Sequence, residues 1–111
     1  MNHRLFVEKR EGFRVEAESL LRELNENLQL HLRQLRYLCV YDLFGFSDEL
    51  LEKSKYSVFG ETVTDTVIDS LALDGKRYLA VEYIPGQFDQ RASSAIDCVH
   101  LIDPNADIDI R

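Results

Sequence analysis

The spacing of apolar residues changes abruptly at Pro85-Gly86, and no single element satisfies both sides of that break. Before it, Leu79, Val81 and Tyr83 alternate, which reads as a half-buried strand. After it, Phe88, Ala92, Ala95, Ile96, Val99 and Ile102 recur at helical steps, one apolar stripe on an amphipathic helix. The Pro-Gly pair stops the strand and turns the backbone. A polar run, Gln87 to Arg91, therefore sits where a strand feeds a helix, the place where backbone N–H groups are left for capping side chains or anions. A chain that must hold both periods folds as α+β, with amphipathic helices packed on one face of small sheets.

The remaining segments repeat this alternation of elements. Leu5 to Lys9 is a short strand that Glu11-Gly12 breaks. Ala17, Leu20, Leu21, Leu24 and Leu28 then mark a helix ending around residues 27–31, with Glu16, Glu18, Ser19, Arg22, Glu23 and Glu26 on its other face. A second strand is expected over Leu35 to Phe44. Ser47 is an N-cap residue with Asp48 and Glu49 in the first turn, and the helix it opens carries Leu50, Leu51, Ser54 and Val58 and stops at Gly60. Thr62 to Asp69, rich in β-branched residues, reads as an edge strand. Leu71 to Arg77 is a linker with a turn at Asp74-Gly75, Pro104-Asn105 is a turn, and Ala106 to Ile110 begins another strand.

An internal repeat runs beneath this order. Leu5 and Leu79, Val7 and Val81, Glu8 and Glu82, and Gly12 and Gly86 are each separated by 74 residues, and an amphipathic helix follows each glycine. The repeat divides the chain into a first unit over 1–77 and a second over 78–111. On this offset the first unit's Tyr37 strand recurs only from about residue 111, so the second unit is expected to be incomplete, a fragment of something longer.

Composition mainly excludes. At 111 residues the chain builds one modest core. A net charge of −7 argues against a nucleic-acid partner, which calls for a basic patch. No apolar run approaches the roughly 20 residues that span a bilayer, so no membrane partner is expected. The opening MNHRLFVEKR lacks a secretory apolar core, and the expected address is cytoplasmic. Cys39 and Cys98 stand among apolar neighbours and are expected to be reduced and buried, with a disulfide left to geometry. His3, His31 and His100 have no close second ligand, and no metal site is expected.

Neither a phosphate-binding glycine loop nor a GxSxG elbow is present, and Asp107 with Asp109, or Asp48 with Glu49, read as solvated surface and helix-start charge. No catalytic residue is assigned. The densest polar cluster is Glu82, Gln87, Asp89, Gln90, Arg91, Ser93 and Ser94 around one strand-to-helix turn. One reading is a helix cap, with Asp89 as a cap or first-turn residue and the other polar side chains solvated. The other is a contact surface for a neighbouring domain or an anionic ligand, with the forked Arg91 guanidinium as its anchor.

The same residues carry a resemblance. Val81 to Ser94, VEYIPGQFDQRASS, resembles the VEYLPGQFDQRADSA stretch of phosphoribosylformylglycinamidine synthases, in the long single-chain form of Firmicutes and related bacteria. Arg4-x-Phe6-Val7-Glu8-Lys9, Tyr41-Asp42 and the segment from Phe59 to Asp65 resemble that family as well, so the likeness covers essentially the whole chain. Ser93 departs from the pattern, where many relatives carry aspartate. The resemblance implies the N-terminal, non-catalytic domain of an ATP- and glutamine-dependent ligase of purine biosynthesis, which turns formylglycinamide ribonucleotide into its amidine. That domain is similar to two copies of the small PurS subunit. It implies synthetase and glutaminase domains of the same parent chain as partners. ATP and magnesium would be used by the parent, with no cofactor in this fragment. A free-standing PurS-like dimeric module and a small anionic-ligand sensor are the alternatives, and an exposed sheet edge is expected to invite self-association.

Overall fold

Strand β1 (His3–Lys9) is the element around which the others assemble. The computed structural model describes residues 2–73, 75–84 and 86–111. The turns expected at Asp74 and Pro85 involve residues outside that set. β1 pairs antiparallel on one side with β2 (Leu38–Phe44), Leu5 opposite Tyr41, and on the other with β3 (Asp65–Ile68), Val7 opposite Val67. A short β4 (Asp109–Ile110) adds to β2, Leu43 opposite Ile110, giving the antiparallel order β3-β1-β2-β4. The architecture is α+β, as the two apolar periods require.

Strand alternation sends Leu5, Val7, Leu43, Val67 and Ile110 to one face, where all five are buried. Helix α1 (Val15–Asn27) follows β1, α2 (Asp48–Ser54) follows β2, and α3 (Gln90–Ile102) precedes β4. Leu50 and Leu51 of α2 and Ala92, Ala95 and Val99 of α3 close over the inner face, joined by Phe46 and Phe59. Ser47 caps α2, its side chain accepting from the Leu50 N–H at 3.1 Å. The helix does not simply run on to Gly60. It loosens into a π-helical turn, Lys55–Phe59, which lays the Phe59 ring against Tyr41 with centroids 4.9 Å apart. The same turn brings the Tyr56 hydroxyl to the outer edge of β3, where it accepts from the Val67 N–H at 3.1 Å.

Two ion pairs flank β1. Arg36 grips Glu8 with both arms of its guanidinium, at 2.7 and 2.9 Å. The bond from Arg36 holds the Glu8 carboxyl below its ordinary pKa, against the opposing effect of burial. Burial likewise pushes Asp65 upward, but the Lys9 ammonium at 2.8 Å and the Glu61 N–H outweigh it, and its pKa is also lowered. Carboxyls with lowered native pKa values stabilise the fold above the ordinary carboxylate range, and that contribution is lost as the pH falls through the lowered values. Thermal stability is therefore expected to be flat from neutrality to about pH 5 and to fall below about pH 4. Glu8→Gln should give a shallower acid limb, read from Tm against pH; a limb identical to that of the parent chain would contradict the pairing.

The structure departs from the sequence pattern at several points. β2 begins at Leu38 rather than Leu35, and β3 spans only Asp65–Ile68. Cys98 is exposed, on the flank of α3 away from the core, and not buried; Cys39 is half-buried, and both thiols are free. The largest departure is residues 78–84, which form no strand. Leu79 is 88 % exposed and Val81 87 %, so the alternation is present without a sheet to serve it. A strand needs a neighbour for its N–H and C=O groups, and the described residues place none beside this segment. The Cα radius of gyration, 15.8 Å, accordingly exceeds the roughly 13 Å of a compact chain of this length.

Candidate functional site

The turn before α3 is built from its own side chains. Gly86 has φ of +92°, and the Gln87 N–H donates to the Ile84 carbonyl at 3.1 Å. The Gln87 side chain returns the contact, its Oε1 accepting from the Ile84 N–H at 3.0 Å. Asp89 is the N-cap of α3, extended at φ −96° and ψ 94°, and its carboxylate accepts from the Ala92 N–H at 3.1 Å. The capping reading of Asp89 is thus correct, and Gln87 belongs to the same local fastening. Because the Asp89 carboxylate already occupies this helix start, a free anion there would meet a like charge.

Arg91 does something else. From the first turn of α3 it reaches back to the inner face of β2, and its Nη1 donates to the Cys39 sulfur at 2.9 Å. Cys39 above all, then Tyr41, Tyr37 and Glu16, hold the guanidinium's pKa above the ordinary arginine value against the opposing effect of burial. Cys39 and Tyr41 share one face of β2 and Tyr37, one residue before the strand, continues the same step of two, so this side presents a ledge of two phenols and a thiol to one arginine. Burial pushes the Cys39 thiol up, with Arg91 pulling the other way. Near neutral pH it therefore stays a thiol, a weak acceptor for Arg91 and not an activated nucleophile. Burial also raises the Tyr41 phenol.

The structure thus brings Arg91 to the sheet, keeps Gln87 and Asp89 in the turn that starts α3, and leaves the other polar candidates apart. Gln90 and Ser94 are exposed on α3, Ser93 is half-buried, and Glu82 lies exposed in the segment that forms no strand. Phe88, counted on the apolar stripe, precedes the helix and is 73 % exposed. Sequence reading missed Cys39, Tyr37, Tyr41 and Glu16 as neighbours of Arg91. The period-two spacing of 37, 39 and 41 was the available signal for the ledge, but nothing local tied it to a residue 52 positions away.

Chemically, the arrangement suits contact. Arg91 is exposed, fixed at one arm and flanked by phenols, so its remaining donors can take a carboxylate or carbonyl of a neighbouring surface. Among the described residues, no group of three or more His, Cys, Asp or Glu stands where it could hold a metal ion. No helix among them is long and apolar enough to cross a membrane. Fold and site together define an α+β domain whose sheet is covered by helices on one face and whose most organised polar group is a single anchored arginine. Comparison with protein-family models, curated proteins and solved structures found no match for the chain.

Proposed function

We propose that the chain is the N-terminal, PurS-like, non-catalytic part of a cytoplasmic phosphoribosylformylglycinamidine synthase, and that it organises the synthetase and glutaminase parts of the same enzyme. The observation that carries this reading is the QFDQR run, residues 87–91, whose arginine is held on a sheet ledge with donors to spare. The repeat adds support. Val15 and Gln90 open helices of 13 residues each, and Asn27 and Ile102 close them, so both ends lie 75 positions apart. The extended, apolar surface of residues 78–84 also suits a domain that is buried by neighbours in its parent.

The chemistry belongs to the ATP-binding and glutaminase domains, which would use ATP and magnesium. This part contributes position. Arg91 and the turn before α3 contact the synthetase near its active site and keep the two catalytic centres in register for ammonia transfer. Removing the coding region of residues 1–111 from its genome is expected to leave cells dependent on added purine, with growth restored by hypoxanthine. Normal growth without purine would overturn the assignment.

A further inference from the structure

The outer edge of β3 is closed by the chain itself. An edge strand turns the N–H and C=O of every second residue outward, where an added strand pairs with them. In β3 those residues are Asp65 and Val67. The Asp65 N–H donates to the Glu61 carbonyl at 2.9 Å, and the Asp65 carbonyl accepts from Arg10 Nε at 2.8 Å. The Val67 N–H donates to the Tyr56 hydroxyl at 3.1 Å, so a phenol from the π-helical turn stands where the next strand would lie. The opposite edge offers no such place. β4 has two residues, and its outward Ile110 N–H is taken by the Asp109 carboxylate at 2.9 Å.

We propose that Tyr56 is a latch that holds residues 78–84 off the sheet, and that these residues add to β3 as a fifth strand when the hydroxyl releases Val67. The segment has the period of a strand in Leu79, Val81 and Tyr83, all exposed, and lacks only a neighbour. Both of its ends are tethered beside this edge. Residues 69–77 lead to it from the end of β3, and a return over that connection gives the antiparallel sense that the rest of the sheet has. Residues 85–89 lead from it to α3, whose Arg91 rests on Cys39. Cys39 stands opposite Val7 and Val7 opposite Val67, so the start of α3 is level with the latched N–H. Three strand spacings of about 4.8 Å, roughly 14 Å, separate β2 from a strand beyond β3. Residues 85–89, at about 3.3 Å each, reach about 17 Å. Tyr56 is 40 % exposed and lies outside the buried cluster, so its ring can leave without opening the core.

This inference does not depend on the enzyme assignment, because every group in it belongs to this chain. Amide hydrogen exchange followed residue by residue tests it. In the parent chain the Val67 amide should exchange slowly and residues 78–84 fast. Tyr56→Phe removes only the hydroxyl, and every second amide between residues 78 and 84 should then slow by about tenfold or more, the worth of one net hydrogen bond. Tyr56→Ala clears the ring as well and should give the same protection. The phenylalanine variant, the milder change, decides the matter if the alanine variant does not fold. Adding Val81→Pro, which a paired strand tolerates poorly, should abolish the gain. Three results would each overturn the proposal. One is a segment that exchanges as fast in folded Tyr56→Phe as in the parent chain, and another is a gain that survives Val81→Pro. The third is protection that appears only as the concentration rises, as pairing between copies would require.

Discussion

Gly45→Ala is expected to destabilise the chain by on the order of 3 kcal/mol, enough to lower Tm by roughly 10–20 °C. Gly45 closes β2 with φ of +79°, a conformation that costs an L-residue about 1–2 kcal/mol. It is also pressed against the segment leading into β4. A Cβ at this position would stand well inside van der Waals contact of the Asp107 carbonyl oxygen, with the Ile108 Cα at 3.5 Å. Backbone cannot swing aside as a flexible side chain can, so relief requires moving β4 off β2. Gly12→Ala supplies the control, since Gly12 has φ of +90° and nothing within 4 Å of an added Cβ. The two variants share the backbone cost, and the difference between them reports the clash. Equal losses of Tm would mean that β4 does not pack against Gly45 as described.

Leu43→Ala is the second large effect. Leu43 is fully buried and sits in β2 between His3 of β1 and Ile110 of β4. Truncation removes apolar burial and leaves a cavity that a sheet, pinned by its ladder on both sides, closes poorly. The expected cost is about 2–5 kcal/mol. Domains of this size are stable by only about 5–15 kcal/mol, so the loss is a large share of the total. Urea unfolding should show a lower midpoint with an unchanged slope. Val40→Ala, on the same strand but the opposite face, should cost about 1 kcal/mol or less in the monomer. If both substitutions cost the same, the assignment of inner and outer faces is wrong.

Much of the architecture was legible because it rests on local physics. The steps of three and four from Ala17 to Leu24 and from Ala92 to Val99 marked helices that the structure contains. Ser47 and Asp89 announced their helices by side-chain chemistry that acts within three residues, and both cap as expected. Residues 78–84 show where such reading ends. Their alternation is as clear as that of β1, but a strand forms only if another strand lies beside it, and that is a property of the whole chain. The Arg91 site divides the same way. The polar turn was visible in the sequence, while the ledge of Tyr37, Cys39 and Tyr41 that receives the guanidinium depended on how α3 crosses the sheet. Cys98 was misjudged for a related reason, since a residue on the flank of a stripe turns inward or outward according to the helix's roll.

The central claim is that Arg91 serves contact with the catalytic parts of a larger enzyme rather than the stability of its own domain. It is tested most directly by measuring amidine formation in the complete enzyme carrying Arg91→Ala, with glutamine and then with free ammonia as nitrogen source. The account predicts that glutamine-supported turnover falls about tenfold, the worth of one charge-assisted hydrogen bond, with ammonia-supported turnover and Tm nearly unchanged. Glutamine-supported turnover equal to that of the unsubstituted enzyme would contradict it.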